Sequence, residues 1–177
     1  MRLGTVERMT SVTALSGSLH SPSKTRALLD AILAALQPDE ATVIEVTQLD
    51  GLGTAFGRGP LPDAVAAAVE AIASADLVVV ATPVYRGSYT GLLKHLIDLV
   101  PQDALRGTPV LLAATGGSDE HSLVIDHELR PLFSFFGALT LPTGVYARDG
   151  DFVDGAVASE VLQGRIAAAV ESAGRWR

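Results

Sequence analysis

Three stretches of the chain hold residue types that could do chemistry. The first is Ser16-Gly17-Ser18-Leu19-His20-Ser21-Pro22-Ser23-Lys24-Thr25, a polar loop that runs into a helical pattern. Small hydroxyl residues, one turn-forming glycine and a helix N-terminus make an anion pocket. Backbone N–H groups and Ser or Thr hydroxyls donate to phosphate oxygens, and the helix dipole favours the negative charge. Lys24, with Arg26 beyond it, adds positive charge to an otherwise acidic chain. The alternative is a surface loop in which Ser23 only caps the helix. The loop is no Walker A motif, because Ser18 and Ser23 stand where that motif needs glycine. Nor is it a GxGxxG fingerprint. Gly51-Leu52-Gly53 fails the same test, with Phe56 in the third glycine's place, and reads as part of a flexible loop, Gly51–Gly59.

The second stretch is Thr82-Pro83-Val84-Tyr85-Arg86-Gly87-Ser88-Tyr89. Pro83 stiffens a turn, Gly87 keeps the backbone accessible, and Tyr85 or Arg86 could lie on the face of a planar heterocycle. Tyr85 and Tyr89 packing on neighbouring helices is the competing reading. The third stretch, Thr115-Gly116-Gly117-Ser118, offers backbone that a ligand ring can approach closely. No Ser/His/Asp arrangement and no GxSxG elbow accompany them, and His20, His95, His121 and His127 are scattered.

These stretches share a position in the pattern: each follows a short apolar run. Val12–Leu15, Val43–Val46, Leu77–Ala81, Val110–Ala114 and Leu139–Val145 read as strands. Between them lie helical patterns: one through Leu28, Leu29, Ile32, Leu33 and Leu36, then Asp63–Ala75 (capped by Asp63), Gly91–Val100 and Ser122–Phe136. A last helix is marked by Leu162, Ile166 and Val170. In Gly91–Val100 the apolar residues face inward, with Lys94, His95 and Asp98 on the other side. LVVVA at Leu77–Ala81 is the kind of run a parallel sheet buries on both faces. Five strands alternating with helices predict an α/β three-layer sandwich with a five-stranded parallel sheet in the order 2-1-3-4-5. Strands 1, 3 and 4 are then neighbours, and the three loops open on one crevice at the switch point, where open α/β sheets bind ligands.

Composition narrows the classes. A length of 177 residues makes one domain, read as 11–177 behind a flexible leader at 1–10, with Met9 an alternative start. The 48% hydrophobic share excludes disorder. A net charge of −7 without a basic stretch argues against nucleic-acid binding. Zero cysteines exclude disulfides, thiolate metal sites and thiol redox chemistry. Mean hydropathy is +0.34, yet the longest uncharged run, Pro131–Ala147, contains Gly137, Pro142 and Gly144 and falls short of the ~20 apolar residues of a membrane span. With no signal peptide pattern, the reading is a soluble, cytoplasmic protein without a membrane partner.

The Ser16-Gly17-Ser18 opening, the run TPVYRGSYTGLLKHLIDLVP (Thr82–Pro101) and ATGGS (Ala114–Ser118) resemble the NADPH-dependent FMN reductase family, and within it the branch that serves sulfonate assimilation. The resemblance runs from about Val12 to Val145. It implies a flavodoxin-like fold that binds FMN and takes hydride from NADPH or NADH, with FMNH2 supplied to a separate flavin-dependent monooxygenase. It places the FMN phosphate at Ser16, Ser18, Ser23, Lys24 and Thr25. The isoalloxazine then meets Pro83, Val84, Tyr85, Arg86 and Gly87 from one side and Thr115, Gly116, Gly117 and Ser118 from the other. His20 stands where many relatives have Arg; an imidazole holds phosphate less firmly than a guanidinium fork, which suits release of reduced flavin. Some members carry a Tyr at a π-bulge where this chain has His127, followed by Pro131, whose missing N–H weakens the helix there. His127 is read either as an interface residue that influences flavin transfer or as a partly buried helix histidine. The resemblance also implies a homo-oligomer, dimer or tetramer, with contacts on the Gly91–Val100 helix and Phe133–Phe136. The runner-up activity is an FMN-containing reductase of quinones, azo compounds or metal ions. A non-enzymatic flavodoxin-type carrier is a third, weakened by the absence of a Thr-Gly-Asn-Thr loop after strand 1.

Overall fold

The computed structural model describes residues 11–56 and 59–174; the proposed leader at 1–10 and the tail with Trp176 lie outside them. Its centre is a parallel sheet of β1 (Ser11–Ser16), β2 (Glu40–Glu45), β3 (Leu77–Pro83), β4 (Pro109–Gly116), β5 (Leu139–Thr140) and β6 (Val145–Arg148). The order is β2-β1-β3-β4-β5, with β6 also paired to β4. Both faces are covered, so the runs Leu77–Ala81 in β3 and Val110–Ala114 in β4 are apolar at every position. Leu15, Val78, Val80, Val110, Leu112 and Ala114 point into one core, against α2 (Asp63–Ala73), α3 (Gly91–Asp98) and α4 (Arg130–Phe135). Val12, Ala14, Leu77, Val79, Ala81, Leu111 and Ala113 point into the other, against α1 (Lys24–Leu36) and α5 (Glu160–Gly174). The period of two therefore carries both hydrophobic layers. A small hairpin, β7 (Phe152–Val153) and β8 (Ala156–Val157), precedes α5. Among the described residues no helix is long and apolar enough to cross a membrane.

Six local expectations need correction. The fifth strand, Leu139–Val145, is two strands. β4 advances four residues from Pro109 to Ala113 while its partner advances six, from Leu139 to Val145, so two extra residues bulge out where Pro142 lacks an N–H. The Arg130 guanidinium covers that gap, donating to the Leu141 carbonyl at 2.8 Å. The helix Ser122–Phe136 is a 3₁₀ turn (Asp119–Leu123), a π-helical segment (Ile125–Leu129) and then α4. The segment Gly51–Ala55 is no flexible loop: it forms a 3₁₀ turn that buries Leu52 and Ala55. His95 therefore does not face away from the core; it is half-buried and its Nε2 lies 2.9 Å from the Leu52 carbonyl. Finally Asp63 is the first residue of α2 rather than its cap, a place where its charge still favours the dipole. Of the Phe133–Phe136 segment only Phe135 is exposed among the three phenylalanines; Phe133 and Phe136 are core residues.

Candidate active site

The carboxyl ends of β1, β3, β4 and β6 converge on one cavity of about 370 Å³. Ser18, His20, Pro22, Ser23, Lys24, Thr25, Pro83, Val84, Tyr85, Thr115, Gly116, Gly117 and Asp149 line it. Its volume falls within the range of about 300–1,000 Å³ usual for small-molecule sites. The loop after β1, residues 17–23, packs closely on β3 and α3 because residue 17 is glycine: a Cβ there would stand 3.0 Å from Leu93 and 3.1 Å from the Thr82 hydroxyl. Gly17 N–H donates to the Ala81 carbonyl at 2.8 Å, and Thr90 Oγ1 donates to the Gly17 carbonyl at 2.7 Å. The same Thr90 caps α3, so one hydroxyl couples the loop to the helix. Ser23 caps α1, accepting from Arg26 N–H at 3.0 Å. The first-turn N–H groups of Lys24 and Thr25 have no partner within the helix and remain for a ligand.

The loop after β3, residues 84–90, contains a two-residue hairpin. Tyr85 N–H donates to Ser88 O at 2.9 Å and Ser88 N–H returns to Tyr85 O at 3.2 Å. Arg86 (φ 54°) and Gly87 (φ 80°) occupy its tip, both in the left-handed region that a type I′ turn requires. The hairpin is held from two sides: Val84 N–H donates to Thr115 O at 2.8 Å, and Ser88 Oγ donates to Glu128 of the π segment at 2.9 Å. The end of β4 is joined to α1 by the buried Thr25–Thr115 hydroxyl pair, 2.7 Å apart. Gly116 lines the cavity and also leaves room for close packing, since a Cβ there would stand 2.5 Å from the Tyr146 hydroxyl and 3.0 Å from His121. Gly117 is the open one: only Asp149 Oδ2, at 3.9 Å, comes near its Cβ direction.

Of the residues singled out from sequence, the cavity gathers Ser18, His20, Ser23, Lys24, Thr25, Pro83, Val84, Tyr85, Thr115, Gly116 and Gly117. Four do not line it. Ser16 is fully buried with its Oγ unpartnered. Arg86 and Gly87 form the exposed hairpin tip, and Ser118 is half-buried, its carbonyl accepting the Tyr146 hydroxyl. His127 is exposed on the π segment, not partly buried. Asp149 was missed. Its signal was the strand before it: a fifth strand extended to Arg148 delivers Asp149 to the same edge. Lys24 Nζ lies 2.9 Å from Asp149 Oδ1. Burial raises the pKa of the Tyr146 hydroxyl, and the carboxylates of Asp119, Asp149 and Asp151 push the same way.

One end of the cavity thus offers hydroxyls, an ammonium and the N–H groups of a helix terminus. The other offers the flat wall of Pro83, Val84 and Tyr85 facing the bare backbone of Gly117. The donor set fits a phosphorylated planar molecule such as a flavin mononucleotide, and the strand order puts it at the switch point of a doubly wound sheet. The class is a nucleotide-cofactor α/β protein of the flavodoxin-like fold.

The chain belongs to the NADPH-dependent FMN reductase family, which it matches over residues 10–153. It is 54% identical over 172 residues to the NADH-dependent FMN reductase SfnF of Pseudomonas fluorescens, covering 95% of this chain and 92% of the relative. It is 52% identical to an FMN reductase (NADPH) of Pseudomonas aeruginosa, covering 92% and 89%. Among solved structures, an oxidoreductase from Corynebacterium diphtheriae superposes with a TM-score of 0.83 at 35% identity, covering 96% of this chain and 97% of the other. The apo form of the NADH:FMN oxidoreductase EMOB superposes at 0.81 and 32% identity, covering 92% and 87%.

Proposed function

We propose that this enzyme binds FMN in the switch-point cavity, reduces it with NADPH or NADH, and supplies FMNH2 to a separate flavin-dependent monooxygenase in sulfonate sulfur assimilation. The observation that carries the reading is the single cavity in which the α1 terminus faces the Pro83–Tyr85 wall. When bound, the flavin accepts hydride from the nicotinamide: NAD(P)H, H⁺ and FMN give NAD(P)⁺ and FMNH2. Ser18, Ser23, Lys24 and Thr25 hold the phosphate, with His20 at the exposed mouth. Pro83, Val84 and Tyr85 take one side of the ring, and Thr115, Gly116 and Gly117 the other. Ser16, Gly87 and Ser118 shape these loops from outside the lining, and Arg86 stands at the hairpin tip where a second nucleotide would enter. The protein contributes alignment and electrostatics rather than a proton-transfer residue. A homo-oligomer formed through the exposed Phe135 face of α4, and a cytoplasmic location, belong to the same reading.

The test is anaerobic oxidation of NADH and NADPH by flavin-free protein, titrated first with FMN and then with a quinone. Saturable turnover of many equivalents of free FMN is expected. Turnover confined to one retained FMN and restored only by quinone would overturn the donor role.

A further inference from the structure

An anion site is expected to present surplus positive charge, yet this one is neutralised in advance. Among the described residues that line the cavity, Lys24 is the Lys or Arg side chain and Asp149 the carboxylate, and the two are paired at 2.9 Å. The nearby guanidinium groups are engaged as well: Arg26 with Asp30 and Glu45, and Arg148 with Asp119 at 3.1 Å. Asp149 does not stray there on a loose loop. The buried Asp151 carboxylate accepts the Arg148 N–H at 2.7 Å and closes the turn Asp149–Asp151, and Arg148 is tied across to Asp119. The Asp149 carboxylate thereby stands between Lys24, the first residue of α1, and Gly117, which follows β4.

Resting on the FMN-reductase reading, we infer that Asp149 is an intramolecular competitor for the phosphate: it occupies the Lys24 ammonium in the flavin-free enzyme and opposes the incoming dianion. Asp149 thus sets how loosely FMN is held. A phosphate monoester carries a charge of about −1.5 to −2 at neutral pH, so a carboxylate at the Lys24 ammonium both withholds the counter-ion and repels the ligand. Lys24 and Asp149 have side-chain exposures of 45% and 66%, so water screens the pair, and the effect belongs in the range of a few-fold rather than thousands. The same exposure lets the carboxylate swing away without unfolding its turn, which the Asp151 side chain holds independently. A weakened grip is what a protein that must surrender FMNH2 requires.

The experiment compares Asp149→Asn and Asp149→Ala with the unaltered chain. It measures dissociation constants for FMN and for riboflavin, which lacks the phosphate, from quenching of flavin fluorescence. Three- to tenfold tighter FMN binding is expected in both variants, with less than a twofold change for riboflavin and a smaller FMN effect at 1 M salt. Lys24→Met is expected to weaken FMN and spare riboflavin. Unchanged or weaker FMN binding in the Asp149 variants, or an equal shift for riboflavin, would overturn the competitor role; turnover of free FMN by the unaltered chain distinguishes that result from a failure of the reductase reading. Failure of the unaltered chain to bind either flavin would overturn both.

Discussion

Gly116→Ala tests whether the β4 loop and β6 are as closely apposed as described. Gly116 ends β4 with a backbone conformation open to any residue, so the penalty is steric. The new methyl group would lie 2.5 Å from the Tyr146 hydroxyl, 3.0 Å from His121 Cβ and 3.1 Å from His121 Nδ1. The hydroxyl has little room to retreat: Tyr146 is 7% exposed, sits in β6 and donates to the Ser118 carbonyl. Overpacking of this kind costs about 1–3 kcal/mol. At roughly 2–4 °C per kcal/mol for a chain of this size, Tm falls by about 2–12 °C. Tyr146→Phe alone loses one hydrogen bond, about 0.5–1.5 kcal/mol, and removes the nearest clashing atom. The double variant is therefore less destabilised than the sum of the two, by about 1 kcal/mol as read from a cycle of contacting residues. Urea unfolding of the four proteins measures this directly. A Gly116→Ala protein as stable as the parent, or a strictly additive pair, would refute the close approach.

Thr25→Val or Thr115→Val alone strands the other buried hydroxyl and is expected to cost about 1–3 kcal/mol, while the double variant recovers most of it; thermal unfolding of the three decides. The raised pKa of Tyr146 predicts a fall in stability at alkaline pH. The folded state keeps its proton above the unfolded pKa of about 10, so stability is fully present below that pH and is lost as pH rises through the folded value. Unfolding free energies from pH 8 to 11 are expected to decline less steeply in Tyr146→Phe than in the parent.

The residues with strong periodicity were legible without coordinates. LVVVA in β3 and VLLAA in β4 are apolar at every position because both faces are covered, and that single fact implies helices on two sides and a switch point between. Eleven of the fifteen site positions named from sequence line one cavity for the same reason: they follow strands that the topology makes neighbours. What escaped has local causes. Ser16 is the last residue of β1 and points into the protein, since alternation along a strand outranks its hydroxyl chemistry. Arg86 and Gly87 are consumed by turn geometry, which a sequence pattern of apolar runs does not encode. Asp149 escaped because the expected fifth strand, Leu139–Val145, stops at the residue where β6 begins, whereas β6 runs on to Arg148 and places Asp149 at the crevice.

The π segment shows how one such irregularity is absorbed and transmitted. Pro131 has no N–H for the His127 carbonyl, so a continuous α-helix would carry an unpaired group at that turn. The chain instead shifts register, with Arg130 N–H bonding the Ile125 carbonyl, and starts a new helix in which Pro131 stands near the N-terminus, where no N–H is needed. Ile125, at the start of this segment, is a core residue, and the space that receives its side chain exists because residue 144 is glycine: a Cβ there would lie 2.6 Å from Ile125 Cγ2. Glu128, on the same segment, accepts from Ser88 and so fixes the hairpin that presents Tyr85 to the cavity. The register shift accommodates Pro131, and Gly144 makes room for Ile125. Through the Ser88–Glu128 bond the irregular segment thus helps to define the position of one wall of the cavity.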